Sequence, residues 1–255
     1  MISIKNKAEI ELMRESNRIV AEVLYQLAKM MKPGISTWEL NEKAEEIIAR
    51  NSAEAAFKGY QMDGLNPYPF SICASINNEI VHGYSSKDKI LHDGDIIGID
   101  VGAKKNGFYG DGARTFAVGN INEKNRKLLK TTELALKRAI EQCKVGSRIG
   151  DISSVIEQTA KQNGFYVADG LTGHGVGREL HEDPIVPNIG KSGRGPRLVE
   201  GMTIAIEPMF NIGTSRTVEK EWVFFTADNS NSAHFENTVL IKKEGPEILT
   251  LLKRD

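Results

Sequence analysis

Apolar residues recur at helical spacing from near the start of the chain. Over residues 8–31, Ile10, Met13, Val20, Leu24, Leu27 and Met31 fall at steps of three, four or seven, which predicts an amphipathic helix stopped by Lys32-Pro33-Gly34. A second helix is predicted from Ser36, where Ser36-Thr37-Trp38-Glu39 has the capping-box spacing and Leu40, Ala44 and Ile47 line one face. Strand-like runs follow at 70–76 and 79–82. Two more runs, 95–101 and 108–116, flank Lys105-Asn106-Gly107, and Asn-Gly between such runs predicts a hairpin. A two-residue loop makes cross-strand partners sum to an odd number, which puts Asp100 and Asp111 on one face; a three-residue loop without a bulge would separate them.

The pattern then starts again. Residues 123–143 predict an amphipathic helix through Leu128, Leu129, Ala135, Leu136, Ala139 and Ile140, and a shorter helix is predicted from Asp151 to a stop at Gly164. Leu91-His92-Asp93-Gly94 before Asp100 parallels Leu198-Val199-Glu200-Gly201 before Glu207, and Ile97-x-Ile99-Asp100 parallels Ile204-x-Ile206-Glu207. Each half offers a His-Gly, an acid after an apolar strand, and a second acid: His82, Asp100 and Asp111, then His174, Glu207 and Glu236. Repeats of approximately 1–119 and 120–255 are too long for a solenoid unit. With no Pro/Ser-rich linker between them, a single domain over 1–255 is expected, its halves packed about a pseudo-twofold axis with the polar residues at a central cleft.

The acids change the picture most. Asp100 and Glu207 end runs that read as buried strands, and Glu236 precedes Asn237-Thr238-Val239-Leu240-Ile241, so ordinary solvated positions explain them poorly. Carboxylates forced together repel unless a cation lies between them or one is protonated. Mostly oxygen donors with an imidazole and no thiolate disfavour a structural zinc site and suit manganese, iron or cobalt, and two acids able to bridge suggest a two-metal hydrolytic site. The segment from Gly173 to Pro184 adds His174 and His181 on what reads as a glycine-rich loop closed by Pro184.

Composition narrows the class. With 40% hydrophobic and 26% charged residues the 255-residue chain reads as globular, and its net charge of −1 gives no electrostatic case for nucleic acid or an anionic membrane. Two cysteines, Cys73 and Cys143, fit a reducing compartment. The first residues lack the apolar core of a signal peptide, and no run is long enough to span a bilayer, so a cytoplasmic protein is expected.

Asp100, Asp111, His174, Glu207 and Glu236, with Val81-His82-Gly83 and the Gly-His-Gly-x-Gly-Arg-x-x-His stretch, resemble the type I methionine aminopeptidases over the whole chain, in a bacterial-type minimal form without a front extension. The resemblance implies the pita-bread α/β (α+β) fold, a curved antiparallel sheet with two helix pairs. It implies two divalent ions, from among Co, Mn, Fe, Zn and Ni, bridged by Asp111 and Glu236, with Asp100 on one and His174 and Glu207 on the other. A metal-bound hydroxide would attack the carbonyl after an N-terminal methionine of a nascent protein, a small second residue being preferred. Glu207 would relay the proton, His181 would stabilise the carbonyl oxygen or next peptide group, and His82 would lie beside the leaving amide.

By the same resemblance the side-chain pocket would draw on Tyr60, Tyr68, Cys73, Leu180 and Trp222. A soft sulfur and aromatic walls suit a thioether. Two features depart from the family pattern: Leu180 stands where some members carry an aromatic residue, and the segment 61–67 lengthens the loop between Tyr60 and Tyr68. A monomer is expected, and a transient ribosome contact is left open. Two other readings are a peptidase acting on Xaa-Pro bonds, which shares the five ligands, and a non-enzymatic module with a decayed metal site, against which the complete ligand set stands.

Overall fold

Capping fixes where the four helices begin. In the computed structural model, which describes residues 1–251, α1 spans Lys7–Ala28 and is opened by a capping box between Asn6 and Glu9. Residues 252–255, the end of the second repeat, lie outside the described residues. Helix α1 stops short of the expected Met31: Lys29 and Met30 bond back to the carbonyls of Gln26 and Leu27, a tighter turn that lets the chain leave before Pro33, which excludes helical geometry for Lys32. Helix α2, Thr37–Arg50, has the predicted Ser36–Glu39 capping box. Helices α3 and α4 span Glu123–Glu141 and Ile149–Asn163. Asp151, expected at the start of α4, instead lies in its first turn, where its carboxylate accepts the Arg148 N–H at 2.8 Å. Gly164 ends that helix with a left-handed φ of 78°.

Strand pairings among the described residues are antiparallel and fall into four sheets, one of five strands, one of four and two of three. The predicted hairpin joins Ile96–Lys105 to Phe108–Ala117 through Asn106 and Gly107, both at positive φ, 51° and 80°, as a tight two-residue turn demands. Its register pairs Asp100 with Ala113 and Gly102 with Asp111, so the two acids share a face as diagonal neighbours. In the second half, Thr203–Ile206 pairs with Asn237–Leu240, Ile206 facing Asn237. Glu207 and Glu236 each follow one residue beyond that ladder.

Helices α1 and α2 cover the first-half sheet, where Val20, Leu24, Leu27 and Ile47 pack with Ile72, Ile97 and Val101. Helices α3 and α4 repeat this with Leu128, Leu136, Ile152 and Ile156 against Ile204, Phe210 and Val239. The seam between the halves is hydrogen bonded. The Glu236 N–H donates to Ala113 O at 2.9 Å, and the Thr238 hydroxyl donates to Asp111 O at 2.8 Å. Arg114, half-buried there, donates to Asn237 Oδ1 at 2.7 Å and to the Glu236 carbonyl. The seam therefore fixes the second-half acids directly against the first-half hairpin. Among the described residues no helix is long and apolar enough to cross a membrane.

Candidate active site

At this seam a cavity of about 540 Å³ is lined by Asp100, Asp111, His174, Glu207 and Glu236, and also by His82 and His181. Asp111 and Glu236 are buried, and Asp100 and Glu207 keep partial access to the cavity. One oxygen of each of Asp100, Asp111 and Glu236 is buried without a hydrogen-bond partner. Burial raises Asp100 to about 7. Burial first, then the neighbouring acids, pushes Asp111, Glu207 and Glu236 well above the carboxylate range. Four such carboxyls cannot all ionise unless a cation joins them. Single ligand atoms of Asp111, His174 and Glu236 lie within 4.8 Å of one another, and orphaned hard oxygens beside an imidazole suit a divalent ion.

The Gly173–Gly175 segment, expected as a loop, is part of the strand Thr172–Gly175, held between Glu182–Pro187 and Thr203–Ile206. Its glycines admit the backbone of the neighbouring strands where a Cβ would collide with Ala205 O or Asp183 O. Pro184 does not close the segment but lies inside Glu182–Pro187, an edge strand, where a missing N–H is tolerated. Strand geometry aims His174: its Nδ1–H donates to Gly175 O at 2.9 Å, leaving the Nε2 lone pair 3.5 Å from Glu207 Oε1 and 3.8 Å from Asp111 Oδ2. Burial lowers the ring's pKa to about 3, so the lone pair is free at neutral pH.

His82 is held differently. It adopts φ 59°, an unusual conformation for a residue with a side chain. Gly83 follows it because a Cβ there would stand 2.5 Å from Ala74 O. Nδ1–H of His82 donates to Trp222 O at 3.2 Å, and burial lowers its pKa to about 4, so Nε2 is an acceptor. His181 is exposed and 2.6 Å from the Tyr60 hydroxyl through Nδ1. Tyr60 is kept as a phenol by burial, and donating its proton to Nδ1 leaves the His181 ring proton on Nε2. The loop bearing His181 is anchored below by Glu182, which accepts the Arg178 N–H at 2.7 Å and pairs with buried Lys5 at 2.5 Å.

One end of the cavity is an apolar pocket. Tyr68, Cys73, Leu180 and Trp222 are buried in one cluster, and Tyr60 packs against it. The lengthened segment 61–67 belongs to this wall: Met62 and Leu65 line the cavity, and Trp222 Nε1–H donates to Asn66 O at 2.8 Å. Sequence reasoning passed over Phe57, Met62 and Leu65, since single apolar residues in an irregular segment carry no periodic signal. It also passed over His234, which stands among the acids with Nε2 3.7 Å from Glu207 Oε2. The available signal was its place two residues before Glu236 on an extended chain.

The profile of metallopeptidase family M24 matches residues 11–243. A methionine aminopeptidase of Clostridium acetobutylicum is 48% identical over 98% of this chain and 99% of its own. The crystal structure of a methionine aminopeptidase from Thermotoga maritima superimposes with a TM-score of 0.96 at 43% identity, covering 99% of this chain and 100% of that one. A prolidase from Pyrococcus furiosus is more distant, with a TM-score of 0.76 at 28% identity, covering 98% of this chain and 66% of its own.

Proposed function

The chain belongs to metallopeptidase family M24, and we propose that it removes the N-terminal methionine of peptides and nascent proteins at this cavity. The observation that carries the reading is the set of four buried or half-buried acids beside a neutral His174, opening into a pocket of aromatic rings and one thiol. Asp100, Asp111 and Glu236 would hold one divalent ion, and Asp111, His174, Glu207 and Glu236 a second, drawn from Co, Mn, Fe, Zn and Ni. When bound, such ions supply a water ionised near neutral pH and a Lewis acid for the peptide carbonyl.

The chain's own groups do the rest. The pocket of Tyr60, Tyr68, Cys73, Leu180 and Trp222 takes the thioether through sulfur–aromatic contacts. His181 presents Nε2–H to the substrate carbonyl or next peptide oxygen, and His82 presents an Nε2 lone pair to a peptide N–H. Together they match the donor and acceptor of a peptide group. Glu207, whose pKa burial raises, takes the proton of the attacking water and returns it to the leaving amine.

Each repeat supplies two of the acids to one cavity, which supports reading residues 1–255 as a single catalytic domain. One chain builds the whole site, so a monomer suffices. The free, buried thiols of Cys73 and Cys143 are in keeping with action in the cytoplasm. The test is metal-stripped protein, reloaded with manganese, iron or cobalt and offered Met-Ala-Ser, Leu-Ala-Ser and Ala-Pro peptides. Release of methionine only after reloading is expected. Comparable kcat/KM for the Met and Leu peptides, or rapid cleavage of Ala-Pro, would overturn the substrate assignment.

A further inference from the structure

His234 has no part in the mechanism above, yet it is built into the acid cluster. It ends the strand Ser232–His234, and its side chain is 3% exposed. Its backbone is pinned on both sides of Cα: the N–H donates to Thr115 Oγ1 at 2.9 Å, and the Thr115 hydroxyl donates to His234 O at 2.8 Å. The ring is therefore enclosed in the seam. Its Nε2 is buried and has no hydrogen-bond partner. Glu207 Oε2 lies 3.7 Å from it and Glu236 Oε2 3.9 Å, both beyond hydrogen-bond length, and His82 and Arg114 are its basic neighbours.

Glu207 thus stands between two imidazoles. Its Oε1 faces His174 Nε2 at 3.5 Å, and its Oε2 faces His234. The His174 proton is committed to Gly175 O, so that ring turns a lone pair to the acids, as a ligand would. A lone pair on His234 Nε2 would repel the two carboxylate oxygens it faces. A proton on that nitrogen would attract them. The two rings are therefore suited to opposite tasks, one accepting an ion and one donating to the acids that hold it.

We propose that His234 is a positioning residue whose Nε2–H holds the outward oxygen of Glu207, and secondarily Glu236, so that Glu207 keeps its other oxygen toward His174. The proposal rests on the metal reading above. It makes an unusual pair of expectations. A buried polar nitrogen without a partner costs stability in the metal-free protein, so an apolar replacement should leave that state as stable or more so. The same replacement should weaken metal binding, because outer partners of metal ligands typically carry about 10–100-fold in affinity.

The experiment is calorimetric titration of metal-free wild type, His234→Leu and His234→Gln with Mn²⁺, alongside the Tm of each metal-free protein. Leu is expected to weaken Mn²⁺ binding by about 10–100-fold with the metal-free Tm unchanged or raised. Gln, whose amide restores a donor, is expected to recover most of the affinity. Wild-type affinity in His234→Leu would overturn the proposal, as would a loss matched by a fall in metal-free Tm, which marks a merely structural role. Gln as weak as Leu would also overturn it, since the imidazole itself would then be required as a ligand. If His234→Leu does not fold, His234→Ala takes its place in the same comparison. Absence of Mn²⁺ binding by the wild type would sink the metal reading and this proposal together, whereas tight wild-type binding with an unaffected variant sinks only this one.

Discussion

The two halves of the chain bring acids to the same cavity with strands of unequal length. In the first, Asp100 and Asp111 lie inside a ladder of ten-residue strands. In the second, Thr203–Ile206 and Asn237–Leu240 have four residues each, and Glu207 and Glu236 stand just past them. A regular ladder holds a short Asp against its neighbours, and the longer Glu spans the gap left where the ladder ends. The histidines diverge too. His174 is extended and turns Nε2 to the acids, whereas left-handed His82 bonds to Trp222 and turns Nε2 to the pocket. Two halves can thus carry the same residue types while local backbone geometry assigns them different work.

The sharpest way to break that comparison is to neutralise one buried acid from each half. Asp111→Asn and Glu236→Gln are each expected to lower kcat/KM by about 10³-fold or more, because several kcal/mol of charge stabilisation depends on the ions. Elemental analysis after dialysis should show more than one ion lost per chain in both. Two tightly bound ions in either variant would end the bridging assignment.

A smaller effect separates the histidines. His174→Ala should lose metal, whereas His82→Ala and His181→Ala should keep it and lose about 10²-fold in kcat. Equal metal loss in all three would mean that the two halves place their histidines alike.

The acids also set a pH dependence in the metal-free protein. Asp100 is raised from 3.8 to about 7, so the folded state holds its proton more tightly than the unfolded chain does. That contribution is fully present below the unfolded value and is lost as pH rises through the folded one, between about 4 and 7. Metal replaces the proton, so the gain in Tm on adding Mn²⁺ should grow by about 5 °C or more from pH 5 to pH 8. A gain that shrinks with pH would contradict the charge crowding at the seam.

The smallest effect concerns the lengthened loop. Tyr60→Phe removes the hydroxyl that sets the His181 tautomer. A fall of about tenfold in kcat, with metal content and KM little changed, is expected from one hydrogen bond. An unchanged kcat would show that His181 holds its tautomer without Tyr60.

Much of this architecture was written in local patterns. Ser36 and Glu39 announced a helix start, Asn106-Gly107 announced the hairpin, and parity alone put Asp100 and Asp111 on one face. Acids ending apolar strands stood out because burial makes them costly. These signals are short-ranged and periodic, so one sequence displays them.

Other features have no local signal. The alternating glycines around His174 suggested a loop, but neighbouring strands on both sides close on that backbone and hold it as a strand. His234 drew no reading from the sequence, and only the packing of the seam places it against Glu207, 27 residues away in sequence. The loop from Met62 to Asn66 joined the pocket wall through a bond to Trp222, far along the chain. The sequence by itself determined the helices and the hairpin, and marked the acids that burial makes costly, because spacing and burial cost act along a strand or helix. Which ring proton faces which acid, and what closes the pocket, was decided by tertiary structure, because those depend on groups that meet only after the two halves pack.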